Sequence, residues 1–186
     1  MNLEVSHITV RNKVMRALWN AVCALLYRQS PILFYGWRRM LLRLFGADVA
    51  PGAKPYPKTR IWAPWNLTMM AGSCLANYVD CYSVGRVTLE ENAIVSQYAY
   101  LCAATHDYED PDFTLMVGPI TVGSEAWIAA DAFIAPGVQV GRGAVVGARS
   151  VVTKDVAPWT VVAGCPAIAI KKRVMRTQNH EDRETA

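Results

Sequence analysis

A repeat of six residues constrains the fold of this chain more than any other feature. Between residues 120 and 157 the third place of each six is aliphatic and the fourth is small. The aliphatic column comprises Val122, Ile128, Ile134, Val140, Val146 and Val152, and the small column comprises Gly123, Ala129, Ala135, Gly141, Gly147 and Thr153. A period of six suits neither an amphipathic helix nor a simple hairpin sheet, and it is typical of a parallel β-helix.

The repeat therefore predicts an all-β solenoid in which each six residues form one side of a three-sided coil. The aliphatic side chain points inward and stacks on its equivalent in the next coil, about 4.8 Å away. A small residue follows because the chain turns a corner there. The aliphatic column continues upstream through Leu89, Val95 and Leu101, so we expect the coils to begin well before residue 120.

The repeat is interrupted once, over residues 105–119, and the interruption contains His106. Since these residues have no place in the six-residue register, we predict a loop insertion that leaves the solenoid at a corner. Insertions of this kind project from one face of a solenoid and often carry its function.

The N-terminal region differs from the repeats in both charge and period. Residues 11–47 contain seven basic residues and no acidic one, interspersed with aromatic side chains. Helices are predicted over 12–28 and over 35–45, the second ending at Gly46. One face of the first helix carries Val14, Leu18, Val22, Leu25 and Leu26. Two interpretations remain open: a helix packed on the main domain with a solvated basic face, or a peripheral contact of residues 11–45 with an anionic membrane.

The predicted organisation is a helical appendage over residues 1–47, a β-helix domain over 48–175, and a disordered tail over 176–186. After Asp155 the repeat ends, and a last strand with a short basic segment is predicted to cap the open edge of the solenoid.

Composition favours a cytoplasmic protein, either free or at the inner face of the membrane. The five cysteines are an odd number and form no CxxC pair, which favours reduced thiols over a disulfide framework. No signal peptide is evident, and the most apolar stretch, residues 17–27, is too short to span a bilayer. No feature indicates a nucleic-acid partner.

Several stretches outside the repeat narrow the family. The segments "WAPWNL" (62–67), "VSQYAYLC" (95–102), "HDYEDPDF" (106–113) and "VVGARSVVTKDVAPWTVVAG" (145–164) resemble the hexapeptide-repeat acyltransferases, most closely the colanic-acid-type exopolysaccharide O-acetyltransferases. The resemblance covers roughly residues 15–175. It implies a left-handed winding, acetyl-CoA as acyl donor, a saccharide acceptor that is lipid-linked or free, and a homotrimer with each active site between two chains.

The same resemblance implies that His106 is the general base. An imidazole titrates near neutrality and can take the proton from a sugar hydroxyl as its oxygen attacks the thioester. The alternative is an exposed loop histidine without a role. The neighbouring Asp107 would either orient the ring or cap the loop through its own side chain.

Further site residues are assigned by the resemblance alone. Asn77, Asp80 and Trp127 match acceptor-binding positions, although an Asn at a corner and a packed Trp need no such role. The positions implied to contact the cofactor are Ala130, Ala148, Thr153, Lys154, Pro166 and Lys171. Three residues depart from the family pattern: Cys165, Ile168 and Tyr98. The first two are expected to weaken coenzyme contacts, and the third to narrow the acceptor site.

Three rival functions can be stated. A soluble acceptor, such as a free sugar, an antibiotic hydroxyl or serine, would keep the chemistry and change the substrate. A zinc hydratase of the gamma carbonic anhydrase type needs three histidine ligands, and this chain offers only His7, His106 and His180, so no metal is expected. A non-enzymatic solenoid would have no use for the loop histidine.

Overall fold

A computed structural model describes residues 3–6 and 9–175 of the chain. Its N-terminal elements are β1 (Glu4–Val5), α1 (Val10–Val22), a π-helical turn (Cys23–Tyr27) and α2 (Tyr35–Leu44). The strands that follow are β2 (Asp48–Val49), β3 (Lys54–Pro55), β4 (Arg60–Ile61), β5 (Leu67–Met69), β6 (Cys74–Leu75), β7 (Asp80–Tyr82), β8 (Val87–Leu89), β9 (Ile94–Val95) and β10 (Tyr100–Cys102). The remaining strands are β11 (Ala104–His106), β12 (Leu115–Val117), β13 (Ile120–Val122), β14 (Trp127–Ile128), β15 (Phe133–Ile134), β16 (Gln139–Val140), β17 (Val145–Val146), β18 (Val151–Val152), β19 (Thr160–Gly164) and β20 (Ala167–Lys172). A 3₁₀ turn, Pro64–Asn66, precedes β5.

The strands form a parallel solenoid of about six turns with three faces. Face 1 contains β2, β5, β8, β13 and β16; face 2 contains β3, β6, β9, β14, β17 and β19; face 3 contains β4, β7, β10, β15 and β18. Between the coils over residues 120–152, a column residue pairs with the one eighteen positions later, as Val122 pairs with Val140 and Ile134 with Val152. The whole aliphatic column is buried. The predicted β-solenoid is therefore confirmed.

The small column is explained by the spacing of the coils. A Cβ added at Gly123 would lie 2.7 Å from the backbone nitrogen of Arg142, and one added at Gly141 would lie 2.6 Å from that of Pro158. The turn itself falls two residues later than predicted, where the chain adopts positive φ. These left-handed residues are Glu125, Asp131, Gly137, Gly143 and Arg149. The small residue thus makes room for the next coil, and the change of direction occurs at the sixth place of the repeat.

The N-terminal helices cover the first coil, which confirms the predicted helical segment. Trp19 is fully buried, and its indole Nε1–H donates to the carbonyl of Ile61 at 2.7 Å. Arg38 is also buried; its Nε donates to the Pro55 carbonyl at 2.7 Å and one terminal nitrogen donates to the Pro31 carbonyl at 2.7 Å. A buried cation is tolerated here because carbonyl oxygens accept hydrogen bonds from its N–H groups.

At the other end, β19 and β20 pair antiparallel, and β20 forms the outer strand of face 2. The Arg173 guanidinium then donates to the carbonyls of Glu125 and Gly143, at 2.9 and 3.0 Å. This hairpin covers the last parallel strand of that face. The tail predicted over 176–186 lies outside the described residues.

Candidate active site

The interruption of the repeat folds as a β-hairpin that projects between faces 3 and 1. Strands β11 and β12 pair antiparallel, with His106 opposite Leu115. Strand β1, from the far N-terminus, pairs with the other side of β12, and the backbone N–H of Ser6 donates to the Leu115 carbonyl at 2.9 Å. The histidine therefore lies on a three-stranded sheet rather than on an irregular loop.

The ring of His106 is held by one residue of the hairpin. Its Nδ1 lies 2.6 Å from the carbonyl oxygen of Phe113, and the two rings stack with centroids 4.6 Å apart and planes 13° apart. A carbonyl oxygen can only accept a hydrogen bond, so Nδ1 carries the proton. In the neutral ring this leaves the lone pair on Nε2, which is the form that a general base requires.

The histidine borders an open cavity of about 370 Å³. The cavity is lined by Leu3, Thr105, His106, Asp107, Tyr108, Glu109 and Met116. Asp107 caps the loop, since its Oδ1 accepts from the backbone N–H of Glu109 at 3.0 Å. Of the two roles considered for this carboxylate, the structure shows the capping one.

The tip of the hairpin is ordered by Asp110. One carboxylate oxygen accepts from the backbone N–H of Asp112 at 3.0 Å, and the other accepts from the hydroxyl of Thr114. These two bonds, that of the Thr114 hydroxyl above all, lower the pKa of Asp110. The same two bonds hold the tip of the hairpin closed.

Asn77 lies on a different edge of the solenoid, between faces 2 and 3. Its amide oxygen accepts from the backbone N–H of Lys58 at 3.0 Å, which stabilises the corner. The side chain borders a cavity of about 430 Å³ that also contains Tyr56, Tyr78 and Tyr98. The last two rings are stacked, 5.1 Å apart and 4° from parallel, and both residues have positive φ. An exposed aromatic pair therefore flanks the predicted acceptor residue.

Asp80 follows Asn77 on face 3. It forms an ion pair with Arg60 at 2.9 Å through one oxygen, and its other oxygen is buried without a hydrogen-bond partner. Burial raises the pKa of this carboxyl, and the nearby Arg60 opposes the rise.

Trp127 lies on the outer surface of face 2, where 44% of it is exposed. Its indole Nε1–H donates to the Ser96 hydroxyl at 2.9 Å. The ring is therefore fixed in place while one side stays accessible.

The residues implied to contact the cofactor lie at three places in the chain. Ala130 and Ala148 share the edge of Asn77, one coil apart, and the Arg149 N–H donates to the Ala130 carbonyl at 3.0 Å. Thr153 and Lys154 border a cavity of about 600 Å³ on the edge between faces 3 and 1, the edge from which the hairpin projects. Pro166 precedes β20, and Lys171 lies within that strand.

Within one chain, the structure thus collects Asn77, Ala130 and Ala148 on one edge and places His106 on another. No described hydrogen bond or cavity joins the histidine to Asn77, Asp80 or Trp127. Two neighbours of the histidine were not predicted: Phe113 and strand β1. Neither leaves a signal in the repeat, because both lie in non-repetitive segments and their main contacts are backbone hydrogen bonds.

Comparison with known proteins identifies the family of the chain. Residues 119–154 match the family model described as "Bacterial transferase hexapeptide (six repeats)". The protein named "Putative colanic acid biosynthesis acetyltransferase WcaF" of Escherichia coli (strain K12) is 40% identical over 163 residues, which are 88% of this chain and 90% of that protein. The chain belongs to the hexapeptide-repeat acetyltransferases. This confirms the predicted family and enzyme class.

Solved structures share the fold of this acetyltransferase. A maltose O-acetyltransferase from Clostridium difficile 630 superposes with a TM-score of 0.83 at 24% identity, covering 92% of this chain and 94% of that one. A galactoside acetyltransferase in complex with coenzyme A gives a TM-score of 0.74 at 23% identity, with coverage of 92% and 86%.

The alternative metal chemistry finds no support among the described residues of the acetyltransferase. They contain no group of three His, Cys, Asp or Glu side chains arranged to hold a metal ion. Of the three histidines considered as zinc ligands, His7 and His180 lie outside the described residues. None of the described helices has the length and hydropathy of a membrane span.

Proposed function

We propose that the protein transfers the acetyl group of acetyl-CoA to a sugar hydroxyl during exopolysaccharide biosynthesis, with His106 as general base. The observation that carries the proposal is the hydrogen bond from Nδ1 to the Phe113 carbonyl, which leaves Nε2 as the basic nitrogen. Nε2 removes the hydroxyl proton while the oxygen attacks the thioester carbon. The C–S bond then breaks, and the imidazolium returns its proton to the sulfur of the departing coenzyme.

The edge at Ala130 and Ala148 suits a thin, extended arm such as pantetheine. Neither residue has a side chain beyond Cβ, so the backbone there can be approached closely. Lys154 borders the 600 Å³ cavity, and its ammonium is a point charge of the kind that meets phosphate. Thr153, Pro166 and Lys171 complete the proposed contacts, and Cys165 and Ile168 stand where the family pattern is more polar.

Since the two groups of site residues lie on different edges, we propose that a neighbouring chain completes the site in a homotrimer. The outward side chains support two contact surfaces. Face 1 presents polar residues: Thr68, Thr88, Thr121 and Gln139. In the coils from residue 94 onward, faces 2 and 3 present apolar ones: Ile94, Trp127 and Val145 on the former, and Tyr100, Phe133 and Val151 on the latter. A closed ring needs two different surfaces on each subunit.

The acceptor is proposed to be a saccharide, held by Asn77, Asp80 and Trp127. The similarity to WcaF supports a unit of an exopolysaccharide. The stacked rings of Tyr78 and Tyr98 add a flat apolar surface beside Asn77, which suits the apolar side of a pyranose ring. A soluble acceptor remains the alternative.

The proposal is tested by release of coenzyme A from acetyl-CoA with a panel of free sugars, lipid-linked sugars, chloramphenicol and serine. We expect a lipid-linked or free saccharide to give the highest rate. His106→Ala should lower kcat by about 10²–10⁴-fold without changing the thermal midpoint, because the ring is exposed. An unchanged rate in this variant would refute the role of the histidine.

The shared site can be tested in the same assay with two inactive variants. His106→Ala removes the base, and Ala148→Trp fills the proposed coenzyme groove. Mixed trimers made by co-expression should regain part of the activity if each site takes its base from one chain and its groove from the next. If both groups belonged to one chain, activity would stay absent.

A further inference from the structure

The N-terminal helices have a second apolar surface, which points away from the solenoid. The buried side of the helices is formed by Trp19, Tyr27, Leu41 and Leu42. The outward side, here called the outer helix face, exposes Val10, Val14, Leu18, Leu25, Leu26, Ile32, Leu33, Phe34, Trp37, Met40 and Leu44. Single exposed apolar residues are normal, but a contiguous set of large ones marks an interaction site.

The spacing of these residues shows that they form continuous stripes. They recur at positions 10, 14 and 18 of α1 and at 25 in the π-helical turn, and then at 33, just before α2, and at 37, 40 and 44 within it. Both sets have the three-to-four-residue period of one side of a helix. The predicted apolar face of the first helix therefore lies mostly on the outside, with only Val22 packed against the core.

The two stripes belong to one rigid surface. The indole Nε1–H of Trp37 donates to the Leu26 carbonyl at 3.1 Å, which joins α2 to the end of the π-helical turn. Arg38 binds the carbonyls of Pro31 and Ile32 from beneath. The connection between the helices is thus fixed from the inside, and Leu33, 83% exposed, projects at its tip.

The charge of the region identifies the kind of partner. Residues 9–47 contain seven basic and no acidic side chains. Four of the seven stabilise the fold: Arg38 and Arg39 bind carbonyls, Arg43 binds the Val49 carbonyl, and Arg16 stacks on Trp62. The other three, Arg11, Lys13 and Arg28, are exposed. A second copy would present the same cations, so charge opposes pairing of this face with itself and favours an anionic surface.

We propose that the outer helix face docks on an anionic phospholipid bilayer. Amphipathic helices with cations beside a Leu- and Trp-rich face lie in the interface between headgroups and acyl chains. The tip residues Leu33 and Phe34 enter the acyl region, Trp37 lies at the headgroup level, and the exposed cations meet lipid phosphates. The inference depends on the helices alone and not on acetyl transfer.

Co-sedimentation of the full chain with vesicles tests the proposal. Vesicles of phosphatidylcholine with one quarter phosphatidylglycerol should bind the protein more tightly than pure phosphatidylcholine. Leu25→Glu combined with Leu33→Glu should reduce partitioning by about tenfold or more. The matched control is Val174→Glu, which changes a side chain of similar exposure, 86%, at the other end of the chain and should bind as wild type does. Arg28→Gln should reduce binding to the anionic vesicles by about fivefold.

Two results would overturn the proposal. One is equal sedimentation of the wild type with and without anionic vesicles. The other is a change of molar mass in Leu25→Glu with Leu33→Glu, measured by light scattering, since the face would then be a contact between copies. Release of coenzyme A with a soluble acceptor should be unchanged in this variant, so a failure of vesicle binding is separate from a failure of the proposed reaction.

Discussion

Two neighbouring regions of the solenoid reach the strand conformation by different routes. In the coils over residues 120–152, each strand pairs with the strand eighteen residues away, and the same residue types return at each step. In the hairpin over 104–117, β12 pairs with β11 on one side and on the other with β1, more than a hundred residues earlier in the chain. The coils are specified by repetition, and the hairpin by one long-range pairing.

The difference shows how order and function are divided in this molecule. Each residue of the buried column packs between its equivalents in the neighbouring coils, so a change there is felt in the coils on both sides. The hairpin has few buried side chains, and its geometry depends on backbone bonds and on the Asp110 cap. We therefore expect that the histidine on this hairpin, the proposed general base, can be replaced without unfolding the solenoid.

The largest expected effect is on the coils. Gly141→Val adds a branched side chain where a Cβ would lie 2.6 Å from the backbone nitrogen of Pro158. Backbone hydrogen bonds between the parallel strands fix the spacing of the coils. We therefore expect the unfolding free energy to fall by about 3 kcal/mol, the upper end of over-packing effects. Urea denaturation followed by circular dichroism measures it.

Gly36→Ala is the matched control for that change. Its added Cβ would meet only the flexible end of Arg39, at 3.8 Å, and the residue lies in α2, so stability should stay equal or rise by up to about 1 kcal/mol. Equal losses in the two variants would show that coil spacing does not limit the small column.

A smaller effect is expected on the hairpin. Ser6→Pro removes the backbone N–H that donates to the Leu115 carbonyl, whereas Ser6→Ala keeps it. Loss of one such bond destabilises the hairpin locally by about 1 kcal/mol. We therefore expect the rate of acetyl transfer to fall by about fivefold in the proline variant alone. The unfolding midpoint should be the same in both.

Coenzyme A release and thermal melting, measured on the same preparations, separate the two expectations. A proline variant that melts early and retains its rate would mean that β1 stabilises the coils and not the histidine.

The contrast also explains what the sequence could predict. The aliphatic column from Val122 to Val152 contains six repeats, so each repeat can be compared with the others in the same chain. This internal agreement is enough to predict the solenoid. The left-handed residues at the sixth place were missed because Glu125, Asp131 and Arg149 share no property with Gly137 or Gly143 beyond their position. The winding direction follows from the resemblance and not from the period.

The features of the candidate site also divide into those that the sequence could predict and those that it could not. His106 could be found because it lies in the one interruption of the register. Its tautomer could not, since the carbonyl of Phe113 that fixes it is a backbone group seven residues away. The second apolar side of the helices was visible as Val14, Leu18 and Leu25, but only the burial of Trp19 and Tyr27 shows that this side faces outward. The roles of Asn77, Trp127 and the cofactor residues stay predictions.

The smallest predicted effect concerns Asp80, a half-buried carboxylate beside Arg60 on the outer side of face 3. Burial raises its pKa, so the folded state binds this proton more tightly than the unfolded state does. Its contribution to stability is therefore full at low pH and is lost as the pH rises through the raised pKa. Asp80→Asn keeps the shape without the charge, so at neutral pH it should be as stable as the wild type or more so, by less than about 1 kcal/mol. The difference should vanish at about pH 3, where the wild-type carboxyl is protonated.

Asp131→Asn, which removes the exposed partner of Arg149, is the control and should change little. Urea midpoints at both pH values measure these differences, and a loss of stability in Asp80→Asn at neutral pH would show that the pairing with Arg60 outweighs the cost of burying the charge.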